Sequence, residues 1–266
     1  MKLVRFELKA DPGTARSGMV YSGKVYETDG ANPVAVHEAE TVRPLAPIPQ
    51  PPSIRVFRLD MQPDPSDPDG LSYFYANPAA VVGSGQVVNM PSFTGELSVE
   101  PYLAAVVVQD AYGLAPDVAE GVLLGLTPMQ ILVARDAERQ VRGPLGRSHD
   151  IAIAVGPVLT TPEELEDVTE VGELGTAFHL AVSLKVNEVE RSAGRLEELA
   201  LKFGSAAAFA SQSCTLKEGD LLAIGPLADL AADPISLQPG DQVQLSIERL
   251  GTLVTHIGQE SSSNLP

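Results

Sequence analysis

The chain has 266 residues, 44% of them apolar and 20% charged, with a net charge of −17. That is enough to bury a large core, and the charge disfavours nucleic acid as a partner, because binding phosphate needs a surplus of Lys and Arg. Cys214 is the sole cysteine, which excludes an intrachain disulfide and a cysteine-based zinc site and fits a reducing cytosol.

The first stretch, MKLVRFELKADPG, alternates and is broken by charges, unlike a signal peptide. No apolar run approaches a membrane span, so a cytoplasmic protein with no membrane partner is expected. Short strands are predicted at Lys2–Leu8, Met19–Tyr21 and Lys24–Tyr26, around Gly18 and Ser22-Gly23. They make a small β-module over residues 1–45. The run VRPLAPIPQPPS then carries five prolines, a stiff extended connector that places a boundary at 46–53. A strand resumes at Ile54–Leu59 and opens a main domain reaching residue 258. Asp60–Gly70 cannot be a helix, with prolines at 63, 65 and 68. Its acids read as a solvated loop, because those prolines do not match a calcium-loop register.

The chain is organised around Ser98–Asp110, SVEPYLAAVVVQD. Its β-branched residues and the closing Asp110 and Gly113 predict a strand. Glu100, Tyr102, Ala104 and Val106 share one face; Val99, Leu103, Ala105 and Val107 share the other. Both faces are mostly apolar, as in a strand buried on two sides. A carboxylate at Glu100 in such a run needs a cation, a donor network or a raised pKa.

Val118–Leu132 is apolar and contains Pro128, which predicts a bulged strand. Thr160–Asp167 has a cap residue, an early proline and first-turn acids, the marks of a short helix. Phe178–Val186 alternates as a strand. A helix is predicted over Ala193–Ser211, where Leu196, Leu199, Ala200, Phe203, Ala207 and Ala210 recur at three- and four-residue steps. LKEGDLLAIG and LQPGDQVQLSI each read as a Gly-Asp turn feeding a strand, and residues 259–266 as a polar tail.

The order of these pieces resembles the fumarylacetoacetate hydrolase family, which includes acylpyruvate hydrolases, oxaloacetate decarboxylases and related 2-oxo-acid hydratases and isomerases. The carriers are VRPLAPIPQPPSIRVF, VEPYLAAVVV, LLGLTPMQILVARD, GRSHDIAIAVGP, LKVNE, LKEGDLLAIG and LQPGDQVQLSIERLGTL. The resemblance implies an α+β, β-rich protein, a mixed β-roll with a small N-terminal β-module, commonly a homodimer. It also implies magnesium or manganese held on carboxylates, and here the chain departs. The first of the family's paired glutamates matches Glu100, but the second falls on Tyr102 and the later aspartate on Ile131. The family's lid histidine and glutamate fall among Asp60, Met61, Asp64 and Asp67, its substrate-side lysine on Asn77, and its T-G-T-P turn on Ile224–Leu227. Retained are Arg135-Asp136, Gly146–Asp150 with Arg147 in place of lysine, and Gly156-Pro157.

The candidate catalytic residues are therefore Glu100 and Tyr102, and the candidate substrate-binding residues Arg135, Arg147 and Asp150. For Glu100 the alternative is a carboxylate paired with Arg135 or Arg147. For Arg135 it is an ion pair with Asp136, Asp150 or Glu138, and Asp150 could serve the turn after Gly146. Guanidinium geometry suits either arginine to a small carboxylate ligand. His149 is the histidine to watch, although a structural role is expected, and Cys214 is expected to pack in the core. With isoleucine and a phenol where oxygen anions are needed, no metal site and no cofactor are expected. Two functions follow: a divergent binding or structural homologue without metal-dependent C–C hydrolysis, or an enzyme with a rebuilt site acting on a small 2-oxo or 1,3-dicarbonyl acid.

Overall fold

The computed structural model describes residues 1–266 except 31, 63, 65–66, 68–69, 141–145, 228–234 and 260–266. The Asp60–Gly70 loop falls partly outside the described residues, and the polar tail almost wholly so. The first strands are β1 (Lys2–Leu8), β2 (Asp11–Tyr21), β3 (Lys24–Asp29), β4 (Asn32–Glu38) and β5 (Val42–Leu45). After the proline run come β6 (Ile54–Arg58), β7 (Phe74–Ala76), β8 (Val81–Val82), β9 (Gln86–Asn89) and β10 (Leu97–Val107). A short helix α1 (Pro116–Ala119) leads to β11 (Leu123–Ala134) and directly on to α2 (Arg135–Gln140). Next are β12 (Ala152–Val155), β13 (Leu159–Thr160), β14 (Thr169–Gly172), β15 (Gly175–Phe178), β16 (Ala181–Val186) and β17 (Val189–Arg195). The chain closes with α3 (Phe203–Ser213), β18 (Leu221–Gly225), β19 (Gln242–Ile247) and β20 (Gly251–Gly258).

A long mixed sheet runs β4-β3-β2-β1-β13-β11-β10-β18-β6-β7, and a second runs β17-β16-β19-β20-β9. Through the β1–β13 pairing the amino-terminal strands continue the main sheet. β10 lies at its centre, between β11 and β18, and is buried along its whole length. Val99, Leu103, Ala105 and Val107 face one core with Val243, Leu245 and Leu253 of the second sheet. Tyr102, Ala104 and Val106 face another with Ile54, Val56 and Ile131. The side-chain period of two thus sorts β10 as its sequence predicts.

The two Gly-Asp repeats fold alike but enter different sheets. Asp220 Oδ2 accepts from Lys217 N at 2.8 Å, and Asp241 Oδ2 from Gln238 N at 2.7 Å. Gly219 and Gly240 take positive φ of 86° and 97° in these turns, the region glycine enters freely.

Several local expectations need correction. The Ala193–Ser211 segment is not one helix: β17 extends to Arg195, a 3₁₀ turn covers Leu196–Glu198, and α3 begins at Phe203. Pairing of Ala193 and Gly194 with Ser183 and Val182 outcompetes a weak helix former there. Residues 118–122 are helix α1 and a 3₁₀ turn, Pro116 supplying the early proline, so β11 starts only at Leu123. The register shift against β10 lies at Leu124, between Gly125 and Leu123, not at Pro128. Pro128 sits where β11 passes from β13 to β12, so its missing N–H leaves no ladder bond unmade. Thr160–Asp167 forms two 3₁₀ turns around buried Leu165, and Phe178–Val186 is divided between β15 and β16.

Candidate active site

Three neighbouring elements place the charged groups. Antiparallel pairing sets Leu97 opposite Ala134, so the next residue, Arg135, begins α2 beside the entry of β10, and its N–H donates to Glu96 O at 2.9 Å. One helical step on, Glu138 shares the face of Arg135. β6 runs parallel to β18 with Arg58 opposite Gly225, which puts Arg58 at the same end of the sheet. A Cβ at Gly225 would stand 2.6 Å from Tyr102 Cδ1, so only glycine lets the phenol lie against β18. The 3₁₀ turn Gly146–His149 brings buried His149 in beside them.

Glu100, 1% exposed, is the hub. Its Oε1 accepts from Arg58 Nη1 at 2.9 Å and lies 2.8 Å from Arg135 Nη1. Its Oε2 accepts from the Tyr102 hydroxyl at 2.6 Å. Arg58 is clamped from its other side by Asp60, which accepts from Nε at 2.9 Å and from Nη2 at 2.7 Å, the bidentate geometry a guanidinium favours. Arg135 donates to Glu138 Oε2 at 2.7 Å. His149 Nε2 is 3.2 Å from Arg58 Nη1, and Nδ1 is 2.9 Å from Ser148 Oγ. Nε2 also lies 3.6 Å from Glu100 Oε2, so it accepts from the guanidinium in one tautomer and faces the carboxylate as a donor in the other.

These contacts fix the charge states. Burial pushes the Glu100 carboxyl up, but His149, Arg58 and Arg135 more than offset it and hold the group at about 2. Burial and the adjacent Glu100 charge push the Tyr102 phenol well above its ordinary value, so it stays a donor. Burial lowers the Arg58 and Arg135 pKa values, yet their carboxylate partners raise both. Glu100 is thus a fixed anion, a poor proton carrier that is well suited to orienting two guanidiniums.

One donor set bears on the metal that the family resemblance implies. Ligating atoms of Glu100, Glu138 and His149 lie within 4.8 Å of one another, which amends the expectation of no metal-ligating set. The set does not fit a divalent ion as arranged. Arg58 Nη1 stands among those donors, 2.9 Å from Glu100 Oε1, 3.2 Å from His149 Nε2 and 3.6 Å from Glu138 Oε1. On the strands, Ile131 lies directly opposite Glu100 and offers no oxygen.

The cluster opens onto a cleft of about 910 Å³ lined by Arg58, Asp60, Glu100 and Arg135, with Arg139, Arg195 and Pro226 among its other walls. The predicted residues separate here. Glu100, Tyr102 and Arg135 come together, but Tyr102 is fully buried and its hydroxyl is occupied by Glu100, so it positions that carboxylate. Arg147 does not reach Glu100; its guanidinium stacks 3.8 Å from the Phe93 ring centroid. Arg147 and Asp150 line a second cavity of about 460 Å³ with His149, where Asp150 Oδ1 accepts from Asn77 Nδ2 at 2.6 Å. Arg135 pairs with Glu138 and Glu100, whereas Asp136 caps Thr94 and Gly95. Cys214 is exposed and accepts from Arg55 Nη2 at 3.1 Å, contrary to the expected core position.

Sequence reasoning missed Arg58 and Asp60 as partners and gave Glu138 only as an alternative. The available signal was IRVFR itself: a strand with two arginines among residues apolar enough to be buried requires an anion for each.

The comparisons agree with this architecture. Over 98% of this chain and 100% of the other, it superposes on 5-carboxymethyl-2-hydroxymuconate delta-isomerase from Mycobacterium smegmatis at a TM-score of 0.80 and 19% identity. Maleylpyruvate hydrolase from Sphingobium sp. SYK-6, in complex with manganese(II) ion and pyruvate, matches at a TM-score of 0.75 and 21% identity over 98% of this chain and 100% of its own. In sequence it is 25% identical to oxaloacetate tautomerase YisK of Bacillus subtilis (strain 168), over 84% of this chain and 75% of the relative. It is also 25% identical to the human mitochondrial oxaloacetate tautomerase FAHD2A, over 73% of this chain and 60% of the relative. Residues 53–258 match the fumarylacetoacetate (FAA) hydrolase C-terminal model, and the chain belongs to that family.

Proposed function

We propose that this chain is an enzyme of the isomerase type that interconverts the keto and enol forms of a small 2-oxo or 1,3-dicarbonyl acid. The observation that carries the reading is the pair of guanidiniums, Arg58 and Arg135, converging on a buried anion at the wall of an open cleft. Removing a proton beside a carbonyl leaves an enolate, and guanidinium N–H groups that exchange Asp60 or Glu138 for the enolate oxygen stabilise that charge as it develops. Arg135, the more exposed of the two, also suits a substrate carboxylate. Tautomerisation breaks no bond between carbons. The proton lost on forming the enolate and the one returned to its other end are exchanged with water in the open cleft, since Glu100 stays ionised and the Tyr102 hydroxyl is held by it. The relatives named as tautomerases support this choice, and they favour it over a non-catalytic binding or structural homologue.

The test is the rate at which enol-oxaloacetate absorbance decays with the purified chain, with acylpyruvate cleavage followed in parallel. The expected result is decay well above the uncatalysed rate, lowered about 10²–10³-fold in kcat/KM by Arg135→Ala and unchanged by Arg249→Ala, whose exposed side chain pairs with Asp167. No acceleration with manganese or with chelator present would overturn the reading; acylpyruvate cleavage alone would replace it with a hydrolase.

A further inference from the structure

The geometry points to Arg58 as a resident cation standing in a latent divalent-metal site made of Glu100, Glu138 and His149. Three donor atoms of the kinds that hold manganese or zinc, two carboxylate oxygens and an imidazole nitrogen, surround a single nitrogen, Arg58 Nη1. In the tautomer that accepts from Arg58 the imidazole turns a lone pair to that nitrogen, which is also what a metal would require of it. Ser148 Oγ at 2.9 Å from Nδ1 is the kind of outer contact that orients a ligating histidine.

The cation is not there by default. Asp60 takes Nε and Nη2 with both of its oxygens and so aims Nη1 inward at the three donors. Distances of 2.9–3.6 Å suit hydrogen-bonded and ionic contact around a guanidinium. A metal ion would draw the same atoms to about 2.0–2.2 Å, so the cage must contract once Arg58 leaves. Until then a divalent ion meets a fixed positive charge at the centre of its own ligands, with Arg135 adding a second 2.8 Å from Glu100 Oε1. Manganese and the guanidinium therefore compete for one place, and the tethered cation wins through its effective concentration. This goes beyond the proposed activity and is read by metal binding, so either can fail without the other.

The experiment titrates Mn²⁺ into the full chain and follows free Mn²⁺ by electron paramagnetic resonance. Three variants accompany it: Arg58→Met, Asp60→Asn and the double variant Arg58→Met/Glu138→Gln. The native chain is expected to leave Mn²⁺ free at equimolar concentration. Arg58→Met should gain a single site at least tenfold tighter, and the double variant should lose it. Asp60→Asn alters an exposed residue and leaves the core filled, so it keeps the test alive if Arg58→Met does not fold. Freeing Arg58 from its clamp should give a smaller gain, about threefold or more. Stoichiometric Mn²⁺ on the native chain, no gain in either single variant, or a gain that survives Glu138→Gln would overturn the proposal.

Discussion

Strand β6 carries two buried arginines three residues apart, and they point to opposite faces and opposite fates. Arg55 meets Asp220, Nη1 donating to Oδ2 at 2.9 Å, with Ser53 donating to the same carboxylate at 2.8 Å. Tyr75 and Tyr73 lie 5.4 and 6.0 Å from its guanidinium carbon. One cation faces one anion, both nearly without solvent. At Arg58 two guanidiniums share Glu100, and their remaining capacity is met by Asp60 and Glu138, which are within reach of water. A closed pair holds its charge for structure. A shared anion whose outer partners are exposed leaves guanidinium N–H groups for which a ligand carboxylate can compete with Asp60 and Glu138.

The largest effect that would sharpen this contrast is in stability. Asp220→Ala leaves Arg55 buried and unpaired and is expected to destabilise by about 3–5 kcal/mol. Glu138→Ala removes a partner that is 22% exposed and should stay within about 1 kcal/mol, since water takes its place. Urea unfolding of the two variants measures both. Equal losses would mean that the cluster facing the cleft is as structural as the closed pair.

How much of this could be read beforehand follows from where the information lies. The double burial of β10 was legible because a period of two needs only the residues of one strand, and Glu100 stood out as the charge that breaks it. Its pairing with Arg135 was one of two candidates, since β10 and β11 are near in sequence and their hairpin brings the ends together. Arg58 was not legible, because a parallel pairing of β6 with β18 joins segments about 165 residues apart and no local pattern records it. The helix predicted from Ala193 failed for a related reason. Its apolar spacing is real, but a neighbouring strand claims the first residues. Arg147 was misplaced because a retained motif fixes a residue's position in the chain, and its side chain found an aromatic ring instead.

A smaller effect separates the two regions by pH. Glu100 is held at about 2 in the folded protein, against roughly 4.3 for an unfolded glutamate. A depressed carboxylate contributes stability above its unfolded value and loses it as pH falls towards its folded value. That contribution is on the order of 3 kcal/mol. Replacing Glu100 with Gln should therefore cost most near neutrality, and the gap between the two proteins should narrow below about pH 4.3. Denaturant unfolding at a series of pH values reads the gap. A constant difference down to pH 3 would show that Glu100 is not the ionised hub described here.

The smallest effect concerns Tyr102, whose hydroxyl serves the shared anion without touching the cleft. Tyr102→Phe keeps the ring against Gly225 and removes only the 2.6 Å bond to Glu100 Oε2. Losing one donor to a buried carboxylate costs about 1–3 kcal/mol, and the Glu100 pKa should rise because the charged form has one hydrogen bond fewer. With its grip on one oxygen gone, Glu100 orients Arg58 and Arg135 less strictly, so kcat should fall by less than it does for Arg135→Ala while KM moves little. A Tyr102→Phe protein equal to the parent in melting temperature and turnover would mean that the two guanidiniums alone hold Glu100 in place. The cleft would then owe its geometry to Asp60 and Glu138.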